Sequence, residues 1–218
     1  HTRMGEYTYA CSDFKFKKGL VSATKNSGHT LQIADGLWLD KKFKAAMMKS
    51  IAQSELDRKR FVYSDIGFIL LQQVVEAVTG KTLDAYLVSE FYRPMGLEHT
   101  LFQPLNRYKK EDIMPTAAND YLRRQDLCGY VYDEAAAFMG GVSGNAGLFS
   151  TAQELGKIYQ MILNEGELDG KRYLRRKTCR IFTTEKSAVS HRGLGYDKPN
   201  LKDPKANACA SSAPASVY

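Results

Sequence analysis

The run that most restricts how this chain can fold is residues 66–80, immediately after Tyr63-Ser64-Asp65. Ile66, Leu70, Val74 and Val78 recur at i, i+4, i+8 and i+12, and Leu71 and Val75 widen that stripe, while Gln72, Gln73 and Glu76 fall on the other side. Gly80 stands where a left-handed residue closes a helix. A helix this one-sided requires an apolar partner, so the chain belongs among globular proteins. Its composition agrees, with 44% hydrophobic and 25% charged residues.

Other helices announce themselves less loudly. Asp40 is placed to cap a helix in which Phe43, Met47 and Ile51 recur every four residues, ending near Ser54. Thr82 caps another that runs to about Tyr92 and is closed by Pro94 and Gly96. Residues 97–133 are turn-rich and polar and read as an irregular surface excursion, with a short helix over 121–127 and a further one over 133–139. The capping box Thr151-Ala152-Gln153-Glu154 opens a helix with Leu155, Ile158, Tyr159, Ile162 and Leu163 on one face, and Gly166 stops it. Asp169-Gly170 marks a tight turn, 174–182 a short helix and 192–197 a strand. Before Asp40, the alternation over 14–21 suggests a strand and Asn26-Ser27-Gly28 a turn.

Several function classes find no support. The net charge of +7 would suit an anionic partner, but the basic clusters at Lys15, Lys17 and Lys18, at Arg58, Lys59 and Arg60, and over 171–177 are interleaved with acids and carry no nucleic-acid motif, so no nucleic acid is expected. Cys11, Cys128, Cys179 and Cys209 form no C-x-x-C pair, and His1, His29, His99 and His191 show no metal-ligand spacing, so no metal or other cofactor is expected. No run approaches the ~18 apolar residues of a transmembrane helix, and none is expected.

Two serines have a lysine three residues on, Ser12 with Lys15 and Ser22 with Lys25. A serine-lysine nucleophile works when both lie on one face of a helix, with the lysine beside the hydroxyl it deprotonates. Asn26-Ser27-Gly28 breaks any helix through Lys25, so neither pair is well set. Gly141-Val142-Ser143-Gly144-Asn145 resembles a nucleophile elbow except that Asn145 replaces the closing glycine. The glycines there allow tight turns, or close approach of backbone to a ligand or a neighbouring helix.

Tyr63-Ser64-Asp65 differs because it directly precedes the best helix. Taken alone, Ser64 or Asp65 could cap that helix and Tyr63 could pack as a half-buried aromatic. With its surroundings, the run resembles the Tyr-x-Asn element of serine β-lactamases of the class C type, and of related penicillin-binding proteins and esterases. Gly80-Lys81-Thr82-Leu83 through Pro94-Met95-Gly96-Leu97 is similar to that family's next helix and its ending. Gly144-Asn145-Ala146-Gly147-Leu148-Phe149-Ser150-Thr151-Ala152 resembles its glycine-rich lead into a long helix. The resemblance covers about 56–197.

It implies acyl-enzyme chemistry on an ester, amide or lactam, with Tyr63 as catalytic general base or proton relay and a small-molecule or peptidoglycan-like acyl substrate. A phenol of pKa ~10 serves as a base near neutrality only beside cations that stabilise the phenolate. Asp65 takes the position of the usual asparagine, losing a donor and adding a charge; it and the loop residues Gly144 and Asn145 are the implied substrate-binding positions. The resemblance also implies a Ser-x-x-Lys on a separate helix well upstream, where Ser22 is too close and badly set, and a Lys-Thr-Gly or His-Thr-Gly strand after 192–197, a triplet that these 218 residues do not contain.

The chain is therefore expected to be a middle piece of such a domain, partial over 1–198 with a polar tail or loop over 199–218, and inactive alone. The implied architecture is helix-dominated α+β with few strands, leaving apolar surface without its natural cover. A second reading is a non-catalytic module that positions a cell-wall or glycan substrate, fused to a glycoside hydrolase related to β-N-acetylglucosaminidases. Either implies a bacterial cell-envelope, periplasmic or exported protein.

Overall fold

A computed structural model describes residues 11–12, 15–55, 63–184, 192–196 and 198. The basic cluster at 58–60, His1, His191, Asp197, Cys209 and the tail at 199–218 lie outside the described residues. The architecture is α+β, and the chain divides into two compact units, one holding residues 1–57 and 62–151, the other 58–61 and 152–218.

The first unit begins with a hairpin of β1 (Cys11–Ser12) and β2 (Lys15–Phe16), followed by a three-stranded antiparallel sheet in the order β3 (Val21–Ser22), β5 (Leu37–Asp40), β4 (His29–Ala34). The expected strand over 14–21 is thus two shorter ones, parted by a turn in which Gly19 is left-handed. Helix α1 (Phe43–Gln53) buries Phe43, Met47 and Ile51, the stripe its spacing predicted. Asp40 belongs to β5, and its carboxylate accepts from the Lys42 N–H at 2.8 Å, just ahead of the helix.

These residues join Ile33, Leu39, Ile69 and Phe138 in one core. The Phe138 ring meets Phe43 edge-on at 5.2 Å and Phe16 at 6.4 Å. Phe138 is carried by α4 (Glu134–Phe138), whose alanines Ala135, Ala136 and Ala137 are buried with it, and Asp133 caps this helix by accepting from the Ala136 N–H at 2.7 Å. Truncating a core phenylalanine so placed costs about 3–5 kcal/mol.

Helix α2 (Ile66–Thr79) ends at Gly80 in the left-handed conformation, as its sequence required. The buried side is not the predicted one. Ile69 and Gln72 are buried, whereas Leu70, Leu71, Val74 and Val78 are 43%, 57%, 54% and 81% exposed. Period alone identifies an amphipathic helix; it does not say whether the wider apolar face finds cover. After Thr82, α3 (Leu83–Leu87) widens into a π turn at Val88–Tyr92.

Residues 97–133 are not a mere surface excursion. Short ladders tie them in, β6 (Leu101–Phe102) to β9 (Leu148–Phe149) and β7 (Pro115–Ala117) to β8 (Leu127–Cys128). Leu122, Leu127 and Cys128 are buried. The helix expected over 121–127 does not form. Asp120 takes the backbone N–H of Arg123 at 2.6 Å and its guanidinium at 3.0 Å, closing a turn that left-handed Arg124 ends. Arg123 also donates to the carbonyls of Val131 and Tyr132 at 2.8 and 2.5 Å. Burial pushes the Asp120 carboxyl up, but the hydrogen bonds and charge of Arg123 outweigh it and leave it below its ordinary range.

In the second unit, α5 (Ala152–Leu163) leads to Gly166, then to a hairpin of β10 (Glu167–Leu168) and β11 (Lys171–Arg172), and to α6 (Arg176–Thr183). Asp169 and Gly170 are both left-handed, the tight turn their sequence predicted. Glu154 and Met161 are the buried residues of α5, while Leu155, Tyr159 and Leu163 of its predicted stripe are exposed. Glu165 pairs with Arg176 at 2.9 Å and Arg180 at 2.5 Å. Among the described residues of 192–197 there is no strand; Gly193 and Leu194 donate to the carbonyls of Tyr196 and Phe182. Strands number eleven among the described residues, more than the few expected, yet most are two residues long.

Candidate functional site

The predicted site residues fall at the start of α2 and in the loop over 140–147. Tyr63 precedes α2 and is 57% exposed. The Ser64 hydroxyl accepts from the Ile66 N–H at 3.4 Å, while the Asp65 side chain makes no cap hydrogen bond and its carbonyl receives the N–H groups of Phe68 and Ile69. Helix initiation therefore leaves the Asp65 carboxylate out of its service.

The glycine-rich loop lodges against the first two turns of the same helix. A Cβ on Gly144 would lie 2.2 Å from the Phe68 carbonyl oxygen, so only glycine permits this approach. The Gly144 N–H donates to the Gln72 amide oxygen at 3.1 Å. The Gln72 amide nitrogen donates in turn to Val142 O at 3.3 Å and to Glu76 at 3.0 Å, and the same Glu76 oxygen accepts the Leu83 N–H at 3.1 Å. Gln72, 2% exposed, is thus the hub that fixes the loop. Its place on the polar side of α2 concealed this role; the signal available was a glutamine three residues after Ile69, on the turn facing a glycine run.

Asn145 is equally engaged. Its side-chain oxygen accepts from the Ser143 hydroxyl at 2.6 Å and its nitrogen donates to Asp133 at 3.0 Å. Ser143 is 2% exposed, which with that bond removes the near-elbow from consideration as a nucleophile. Gly140, Gly141 and Gly147 take positive φ, so the loop turns where a side chain would be strained. The structure therefore brings Gly144 and Asn145 beside the helix that Tyr63 and Asp65 introduce.

The two serine-lysine candidates do not assemble. Ser12 and Lys15 are backbone register partners across the β1–β2 hairpin and do not lie along a helix. The Ser22 hydroxyl donates to Thr24 O at 2.8 Å and accepts from the Thr24 N–H and Asn26 amide at 3.3 Å, whereas the Lys25 ammonium sits 5.4 Å from the Trp38 ring centroid. Cys128 and Cys179 are buried free thiols. No group of three or more potential metal ligands occurs among the described residues, and no described helix is long and apolar enough to cross a membrane.

A family model described as Beta-lactamase matches residues 25–199. The chain belongs to that family. The match extends the resemblance read over 56–197 back through the β4–β5 hairpin and α1. Among curated relatives, "Putative D-alanyl-D-alanine carboxypeptidase" of Escherichia coli K12 is 38% identical over 149 residues, covering 63% of this chain and 34% of that protein. "N-acetylmuramyl-L-alanine amidase" of Bacillus subtilis 168 is 36% identical over 155 residues, covering 66% and 35%. The beta-lactamase-family chain thus spans about a third of the length of the curated relatives it matches.

Solved structures similar to it include the D-amino acid amidase from Ochrobactrum anthropi SV3 complexed with D-phenylalanine, 14% identical at a TM-score of 0.47, covering 75% of this chain and 46% of that one. An octameric penicillin-binding protein homologue from Pyrococcus abyssi is 16% identical at a TM-score of 0.46, covering 66% and 31%.

Proposed function

We propose that this chain is a middle piece of a serine acyl hydrolase, in which Tyr63 serves as general base or proton relay. A serine elsewhere in the protein attacks the carbonyl carbon of an ester, amide or lactam, its proton passes to the Tyr63 oxygen and on to the leaving group, and water then releases the acyl-enzyme. Asp65, Gly144 and Asn145 belong to the substrate-binding side. The observation that carries this reading is Tyr63, more than half exposed at the head of α2 with the fixed Gly144-Asn145 loop beside that helix. The names of the relatives favour a peptidoglycan-like acyl substrate and a bacterial envelope or exported location, and they favour acyl hydrolysis over a substrate-positioning module.

The 218 residues alone form no acyl-enzyme in this reading. Ser22 is held by its own turn with Lys25 directed to Trp38, and Ser143 is buried, so neither serine has an activated hydroxyl. The test is a fluorophosphonate trap of the longer protein that contains this chain, followed by peptide mapping. The expected adduct is on a serine outside these residues, and Tyr63→Phe slows its formation about 10²–10⁴-fold. An unaffected rate in Tyr63→Phe would remove Tyr63 from the chemistry.

A further inference from the structure

A cavity of about 260 Å³ opens in the first unit, between the β3–β5–β4 sheet, residues 103–106 and residues 129–141. Tyr63, Asp65, Gly144 and Asn145 do not line it, whereas Gly140 and Gly141 of the glycine-rich loop do. Ligand pockets run to ~300–1,000 Å³, so this one suits a small molecule. Its inner wall is apolar, with Leu31, Ile33, Val131, Ala137 and Phe149, and its polar lining includes Gln32, Gln103 and Asn106.

Lys25 is the one charged side chain among the described lining residues, and its ammonium rests 5.4 Å from the centroid of Trp38, which lines the cavity too. The nearby carboxylate of Asp35 is outside the lining and is taken up by Lys110 and by the Tyr130 hydroxyl at 3.0 Å. Lys25 thus gives the cavity one positive charge with no carboxylate among its fellow lining groups, an electrostatic complement to an anion.

The walls are shaped for closeness. Gln103 is held in the left-handed conformation at φ 49°, uncommon for a residue with a side chain, and its amide donates to Gly140 O at 2.5 Å. The Asn106 amide donates to Gln103 at 3.1 Å, which fixes the pair as one rim. At Gly129 a Cβ would fall 2.5 Å from Leu105, so glycine is what lets that leucine press onto the wall.

We infer that this cavity binds a small carboxylate with an apolar body, its carboxylate on Lys25 and its body against Leu31, Val131 and Phe149. The site is independent of the acyl chemistry proposed for Tyr63, and either can fail without the other.

Trp38 is the chain's single tryptophan, so emission excited selectively at the red edge of tryptophan absorption, beyond the 13 tyrosines, comes from a residue that lines this cavity. Titration with N-acetylleucine should give a saturable change in Trp38 emission. The neutral twin N-acetylleucinamide should bind at least tenfold more weakly. Lys25→Gln, at an exposed position, should keep the wild-type circular dichroism and lose at least tenfold in affinity for the acid, while Tyr63→Phe should bind as wild type does. Equal binding of acid and amide, or an unchanged affinity in Lys25→Gln, would overturn the inference. So would the absence of any saturable change together with unmoved amide resonances at Leu31 and Ala137.

Discussion

The loop over 140–147 and the segment Tyr63-Ser64-Asp65 adjoin the same helix and are built in opposite ways. In the loop nearly every polar group is spent on its neighbours: Gly144 on Gln72, Asn145 on Ser143 and Asp133, and Ser143 on Asn145. In the segment, Tyr63 is 57% exposed and the Asp65 side chain makes no cap hydrogen bond. A loop so fixed offers a rigid wall at little entropic cost on binding, whereas exposed groups are the ones that remain available for chemistry. In the proposed function the loop holds shape and Tyr63 acts.

The fixed part is supported from behind by Arg123, which holds the carbonyls just before Asp133, and Asp133 holds Asn145. Arg123→Met should therefore strike hardest, leaving Asp120 buried without its partner at a cost of about 3–5 kcal/mol, read as a lowered urea midpoint. The pH dependence gives the same residue a signature. Because Asp120 lies below its usual value of 3.8 when folded, its contribution is present above that pH and lost as pH falls through the lower folded value. Wild type should weaken below about pH 3.8 on this account. Arg123→Met, with a carboxyl that burial now raises, should instead gain stability as pH falls toward that range.

Gly144→Ala comes next, at about 1–3 kcal/mol, since the methyl would meet backbone at Phe68 and not a side chain free to move. Asn145→Ala removes one donor and one acceptor and should cost about 1 kcal/mol, measured the same way. Tyr63→Phe should shift stability by no more than about 0.5 kcal/mol. A large loss there would mean that Tyr63 is structural and would erase the contrast.

Much of this was legible in residue order. The Phe43, Met47 and Ile51 stripe, the left-handed Gly80 and the Asp169-Gly170 turn all follow from local rules, because each is decided within a few residues. What failed depends on distant partners. Leu70, Leu71, Val74 and Val78 form the expected apolar face, but it is exposed, and this fits a helix whose cover lies elsewhere. Gln72 is buried because three hydrogen bonds satisfy it, which no periodicity reveals. The 121–127 helix lost to the Asp120 carboxylate. By contrast the β4–β5 hairpin was within reach, since Asp35-Gly36 is a turn signal between two apolar runs.

In the proposed function, Tyr63 and the 140–147 loop serve an acyl hydrolase whose nucleophile is none of the serines in these 218 residues. Incubating the purified 218-residue protein with a fluorescent penicillin and weighing it intact by mass spectrometry tests that directly. The predicted result is an unmodified mass at every concentration, and a stoichiometric acyl adduct on any of its serines would contradict it.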